Sequence, residues 1–263
     1  MVEERTSARS VVVVAERNLE YRLIGGDGGR TTLVFLHEGL GSMDLWRRYP
    51  DDVVAGTGRS GLVYSREGHG WSDPVQAPRS ADFMEHEALT VLPQVLDRLG
   101  IARPILIGHS DGASIALICA GAGHQVTGLV LLAPHVFVEP ESIAGIEAAR
   151  ERFETTDLPE RMGRHHRDSR STFQAWNDVW LDPGFRTWNI EGYLPGIDCP
   201  TLLIQGRADE YGTLAQLDAI ERGVTGPVSR LILDDCGHSP HLAHPAPVLE
   251  ATARFIDQIG GET

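Results

Sequence analysis

The stretch Pro104-Ile105-Leu106-Ile107-Gly108-His109-Ser110-Asp111-Gly112-Ala113-Ser114 joins a short apolar run to a run of small residues through two glycines. Ile105 to Ile107 read as a buried strand, and Ala113 to Ala120 as a small-residue helix. Between them, Gly108-His109-Ser110-Asp111-Gly112 fits the pattern G-x-S-x-G. A serine on so sharp a strand-to-helix turn is held in a strained backbone conformation with its oxygen pushed out of the fold. The flanking glycines remove side chains that would clash there. The helix that begins behind it aims backbone N–H groups and the positive end of its dipole at any negative charge that develops. Ser110 is therefore a candidate nucleophile.

A nucleophilic serine needs a base, and the base needs an orienting acid. Thr201-Leu202-Leu203-Ile204-Gln205-Gly206 reads as another apolar strand, with Arg207-Ala208-Asp209-Glu210 turning off its end. Leu231-Ile232-Leu233 then leads into Asp234-Asp235-Cys236-Gly237-His238-Ser239-Pro240, which places His238 on a loop after the last strand. Ser110, Asp209 and His238 thus each follow the C-terminal end of a strand, and those ends share one edge of a parallel sheet, where ligands bind. Glu210, Asp234 and Asp235 are the alternative acids.

With these motifs the chain resembles the α/β-hydrolase superfamily. The segment Leu36-His37-Glu38-Gly39-Leu40-Gly41-Ser42, followed by Trp46, is similar to the family's oxyanion segment, and Arg66-Glu67-Gly68-His69-Gly70-Trp71-Ser72-Asp73 to its R-G-x-G-x-S-D turn. Gly206-Arg207-Ala208-Asp209 and Gly237-His238-Ser239-Pro240 match its acid and histidine loops. The resemblance spans nearly the whole chain. It implies a mostly parallel twisted sheet with helices on both faces, a helical lid, a serine triad of Ser110, Asp209 and His238, and acyl transfer to water. Backbone N–H groups of Gly39 and of Asp111 are expected to hold the oxyanion, with Leu40 as the runner-up to Gly39. Where relatives carry His-Gly this chain has His37-Glu38, so Glu38 is either the partner of a nearby arginine or part of the substrate pocket. The Asp111 side chain is expected to point away from the oxyanion and to cap the helix or form a salt bridge, with Arg66 as a candidate partner and acid–base tuning as the alternative.

A chain of 263 residues is large for one domain, yet alternating strand–helix architectures reach this size as a unit. The balance of 23 basic against 37 acidic residues, a formal charge of −14, argues against nucleic acid or an anionic membrane as partner. Cys119, Cys199 and Cys236 are odd in number, widely spaced and without C-x-x-C, which suits a reducing, cytoplasmic setting. Met1 to Arg5 are charged, and the Val11–Val14 run is too short for a signal core or a membrane span. A small molecule is the expected partner of a monomer or homodimer, and no metal or organic cofactor is implied.

Strand and helix signals alternate along most of the chain. Val11–Ala15 and Leu19–Leu23 read as an antiparallel opening pair, Thr32–His37 as a central strand, Asp44–Pro50 as the start of a helix, Gly61–Ser65 as a strand, Phe83–Leu99 as a long helix, and Gly128–Leu132 as a strand. The alternation stops after it. Residues 135–198 are charged and helical, with segments at Ser142–Glu154, Asp157–Arg167 and Thr172–Leu181, and form the expected lid inserted between core residues 1–134 and 199–263. Trp176, Trp180 and Trp188 cluster in this insertion, and the first two share one helical face. All three are candidates for the substrate pocket, with packing on the core as the alternative. His165 and His166 read as solvated surface, and His109 as a structural part of the turn. His238, His241 and His244 recur every three residues but lack a completing ligand set, so they read as one base and two bystanders.

The expected activity is hydrolysis of a small carboxylic ester through an acyl-enzyme on Ser110. Carbon–carbon cleavage of a diketone-type catabolite and thioester hydrolysis would use the same triad, and a non-catalytic small-molecule receptor on the same fold is the alternative of a different class.

Overall fold

The computed structural model describes residues 9–26, 29–75 and 78–260; Met1 to Arg5 lie outside the described residues. Eight strands form one sheet: β1 (Ser10–Val14), β2 (Arg17–Ile24), β3 (Leu33–Leu36), β4 (Gly61–Tyr64), β5 (Ile105–His109), β6 (Gly128–Leu132), β7 (Thr201–Gly206) and β8 (Val228–Leu233), in the spatial order β1-β2-β4-β3-β5-β6-β7-β8. The first two strands pair antiparallel, β2 meets β4 antiparallel, and every later pairing is parallel.

The parallel strands β3 to β7 are buried along their whole length because helices cover both faces. Alternate residues feed two cores. Val34, Leu62, Leu106, Leu129 and Leu203 pack on one side with α2 (Phe83–His86), α3 (Leu92–Arg98), α4 (Asp111–Gly121) and α8 (Ala215–Gly223). Phe35, Val63, Ile107, Val130 and Ile204 pack on the other with α1 (Tyr49–Thr57) and α10 (Pro245–Gly260). A short α9 (Pro240–Ala243) precedes α10, and the insertion between β6 and β7 carries α5 (Pro140–Thr155), α6 (Leu158–Met162) and α7 (Ser169–Leu181). No helix among the described residues is long and apolar enough to cross a membrane.

Three elements differ from the sequence expectation. One is α6, which stops at Met162 where the expected helix runs on to Arg167, because the chain from His165 turns off and docks His166 and Arg167 on the core. The first helix starts at Tyr49, not at Asp44, because residues 42–47 spend their hydrogen bonds on tight turns and Arg47 has φ 56°; Pro50 then sits in the first helical turn, where its missing N–H costs nothing. The helix expected over Phe83–Leu99 is interrupted by a π-helical turn at Glu87–Val91, just before Pro93, which has no N–H to give the preceding turn.

Candidate functional site

Ser110 lies between β5 and α4 with φ 51° and ψ −120°, a conformation that only a locally over-determined backbone holds in a residue with a Cβ. Its N–H bonds Leu132 O at 2.9 Å and its carbonyl accepts the N–H of Ala113 at 2.8 Å, which fixes the turn on both sides. The glycines explain how the helix approaches so closely: a Cβ at Gly112 would stand 2.0 Å from Leu36 O, and one at Gly108 2.5 Å from the Cα of Ala113.

Asp209 and His238 leave the ends of β7 and β8 and meet. His238 Nδ1 is 2.9 Å from Asp209 Oδ1 and 3.0 Å from Oδ2, and the carboxylate is also held by the N–H of Tyr211 at 2.9 Å. Asp209 is buried, and burial pushes its carboxyl up, but the charge and hydrogen bond of His238 outweigh that and hold it below its ordinary value. Burial likewise pushes His238 down, yet Asp209, with Glu210 and Glu38 adding, leaves it raised. The His238 loop is further fixed by Glu210 Oε2, which accepts the His238 N–H at 3.2 Å, and by the His109 ring, whose Nε2–H donates to His238 O at 2.7 Å. Asp234 is spent elsewhere, on Arg207 at 2.7 Å.

Ser110 and His238 line one cavity of about 220 Å³, together with Gly39, Leu40 and Asp111 from the core and Ile146, Trp176 and Trp180 from the insertion. Glu38 is on this wall as well, and its carboxylate faces His109 Nδ1 at 3.4 Å, so its partner is a histidine and not an arginine. Burial opposes its charge, but His109 draws its pKa down to about 2. Asp111 departs from expectation: its side chain does not turn away to pair with Arg66 but lines the cavity, with Oδ2 against Gly39. Trp188 does not reach the cavity. Its ring stacks on Phe185 at 5.3 Å and lies beside Trp180 at 6.0 Å, in the same hydrophobic core as the sheet residues Val34, Leu106 and Leu129, so it packs on the core as the alternative reading had it.

The backbone of the 37–40 loop is held from behind, carbonyl by carbonyl. Arg66 donates to His37 O and, at 3.1 Å, to Glu38 O, which also accepts His37 Nδ1–H at 2.7 Å. His69 Nε2–H donates to Gly39 O at 2.9 Å, and His166 Nε2–H to Leu40 O at 3.1 Å. In a trans peptide the N–H opposes the preceding carbonyl, so anchoring Glu38 O and Gly39 O turns the N–H groups of Gly39 and Leu40 the other way. No acceptor takes either N–H among the described residues. The N–H of Asp111, in the first turn of α4, has no intrahelical partner to bond.

His166 corrects the expectation of a solvated surface residue. It is 1% exposed, and its Nδ1 accepts the Gly70 N–H at 3.0 Å while Nε2 holds Leu40. Arg167 N–H to Gly70 O at 2.7 Å and Thr172 Oγ1 to Gly68 O at 2.6 Å dock the same segment onto the Gly68–Gly70 turn. The insertion is thereby tied to the loop that carries Gly39. His166→Ala removes both ring bonds and is expected to cost about 1–3 kcal/mol of stability in urea unfolding, with Leu40 released. His166→Gln, which can still donate to Leu40 O, is expected to recover part of it. Equal stability of wild type and His166→Ala would remove the ring from this role.

The sequence model of the alpha/beta hydrolase family matches residues 33–251. The chain belongs to the alpha/beta hydrolase family. The family's class of chemistry, hydrolysis, is therefore this chain's class. Among curated proteins it is similar to the sn-1-specific diacylglycerol lipase ABHD11 of Danio rerio, 31% identical over 117 residues, which are 44% of this chain and 35% of that protein. The Mus musculus protein of the same name is 33% identical over 102 residues, 39% of this chain and 32% of its own length. Each match thus spans about a third of the relative. Among solved structures, a bacterial membrane phospholipase A superposes with a TM-score of 0.79 at 22% identity, over 97% of this chain and 87% of that one. An enol-lactonase from Burkholderia xenovorans LB400 superposes with 0.74 at 18% identity, over 94% and 99%. At these identities the superpositions speak for the alpha/beta hydrolase fold alone.

Proposed function

We propose that this alpha/beta hydrolase cleaves small carboxylic esters through an acyl-enzyme on Ser110, with His238 as base and Asp209 as its orienting acid. The observation that carries this is the His238–Asp209 contact on the wall of the cavity that also holds Ser110. An ionised carboxylate only accepts, so His238 Nδ1 bears a proton and Nε2 is the free basic nitrogen. Nε2 takes the Ser110 proton as Oγ attacks the ester carbonyl. The new oxyanion is met by the N–H groups of Gly39 and Asp111, with that of Leu40 beside them. Collapse expels the alcohol, which carries away the proton from His238, and water repeats the sequence on the acyl-enzyme to release the acid.

Carboxylic esters are favoured over thioesters and carbon–carbon bonds because the curated relatives are named as lipases. A cavity of about 220 Å³ capped by two indoles favours a short acyl group. A reducing, cytoplasmic setting is in keeping with Cys119, Cys199 and Cys236, all free and buried.

A fluorophosphonate probe is expected to label Ser110 in the wild type and to leave Ser110→Ala unlabelled. A receptor that merely kept the fold would not be labelled. Across p-nitrophenyl esters of increasing acyl length, turnover is expected to peak at short chains.

The raised pKa of His238 gives the pH dependence a sign. Below that pKa the imidazole is protonated and has no lone pair for the serine proton, so kcat/KM for a non-ionising ester is expected to fall about tenfold per pH unit on the acid side. The midpoint is expected above 6.5, the ordinary histidine value. Chelators are expected to have no effect. A profile flat from acid to neutral pH, or inhibition by EDTA reversed by added metal, would exclude His238 as the base.

A further inference from the structure

Several buried polar atoms on the cavity wall have no hydrogen-bond partner among the described residues. Asp111 Oδ1 and Trp180 Nε1 are two of them, on residues each 2% exposed. The Trp180 indole N–H lies close enough to the Asp111 carboxyl to favour its charge, yet it makes no hydrogen bond of normal geometry with it. The Trp176 indole N–H also meets no acceptor among the described residues. It comes onto Gly39 from α7, while Asp111 comes onto the same glycine from α4. Trp176 Nε1 and Asp111 Oδ2 lie 2.1 Å and 3.0 Å from the point a Cβ of residue 39 would occupy.

Two N–H donors and one carboxyl acceptor thus converge beside the oxyanion loop, inside the cavity of Ser110. Polar groups buried without partners are costly, and proteins rarely keep them without use. A plain hydrocarbon acyl chain beside them would give none of the three a partner. A hydroxyl has one O–H to give and two lone pairs to accept with, which complements this set. The match holds in either protonation state of Asp111, because a carboxylic acid keeps a carbonyl oxygen that accepts.

We propose that the cavity selects esters whose acyl group carries a hydroxyl close to the scissile carbonyl, held by Trp176 Nε1–H, Trp180 Nε1–H and the Asp111 carboxyl. This rests on the reading of Ser110 as the acylated serine.

The test compares p-nitrophenyl butyrate with p-nitrophenyl 2-hydroxybutyrate and 3-hydroxybutyrate, each rate divided by that ester's uncatalysed rate. At least one hydroxy ester is expected to exceed butyrate in kcat/KM by about tenfold or more, since a site built to bond a hydroxyl discriminates against the analogue lacking it. Trp176→Phe and Trp180→Phe keep an aromatic ring and remove the N–H, and the ratio of hydroxylated to plain ester is expected to fall severalfold in each. A role in packing alone would slow both esters together and leave the ratio unchanged. Equal wild-type rates on the three esters, or a preference that survives in both variants, overturns the proposal. Fluorophosphonate labelling run in parallel separates the two readings. Labelled Ser110 without a hydroxyl preference sinks only the substrate class, whereas unlabelled Ser110 with no ester turned over sinks the acyl-enzyme reading and this proposal with it.

Discussion

Ester turnover is expected to vanish almost completely in Ser110→Ala and to fall by about 10³–10⁴ in kcat in Asp209→Asn, with the fold retained in both. The first change removes the only atom proposed to carry the acyl group. The second is subtler. The asparagine oxygen can still accept the Tyr211 N–H that Asp209 now holds at 2.9 Å, so the turn survives. Its amide, however, carries no charge to favour the imidazolium, and by donating its own N–H to His238 Nδ1 it would stabilise the tautomer whose Nε2 is already protonated. Such a ring cannot take the serine proton. Circular dichroism of both variants and single-turnover kinetics of Asp209→Asn test this. A wild-type rate in Asp209→Asn would transfer the role to Glu210, which lies close enough to bond the His238 backbone N–H at 3.2 Å.

The sheet was legible because buried parallel strands leave continuous apolar runs, such as Ile105–Ile107 and Leu202–Ile204, bounded by glycine and charge. The strand ends then brought three chemically suited residues to one edge in the order of the chain. Trp176 and Trp180 were legible as a pair because a spacing of four puts them on one helical face, and both reach the cavity. Trp188 carries the same side chain without a periodic partner, and nothing local says that Phe185, three residues earlier, will cover it. His166 was illegible for a related reason. Its neighbours Arg164, His165 and Arg167 are polar, and its burial comes from docking on a turn 96 residues away. Asp111 was misjudged on electrostatic grounds. A carboxylate near a developing oxyanion is unfavourable, but burial raises its pKa against the pull of Arg66 and Arg79, so its charge is less firmly held than that of an exposed aspartate.

Gly39→Ala is expected to lower kcat by about 10²–10³, the loss typical of one removed oxyanion donor. The cause is steric and local. The added Cβ would stand 2.1 Å from Trp176 Nε1 and 2.4 Å from its Cδ1, distances that real Cβ atoms do not occupy. Either the indole leaves the cavity wall or the 37–40 loop gives way. The loop's carbonyls are anchored by Arg66, His37, His69 and His166, all buried, so the side chain of Trp176 and the local peptide at residue 39 must share the displacement. Moving that peptide takes the Gly39 N–H away from the oxyanion it is proposed to meet, which is expected to cost kcat more than KM because such a bond strengthens only as charge develops. The double variant separates the clash from any other effect of the methyl group. With Trp176→Ala as background the obstructing atoms are gone, and Gly39→Ala is expected to cost clearly less than it does in the wild type. An undiminished cost in that background would mean that the indole is not what confines residue 39 to glycine. A wild-type kcat in Gly39→Ala alone would hand the first oxyanion contact to Leu40, whose N–H is turned to the same side by the His69 bond to Gly39 O.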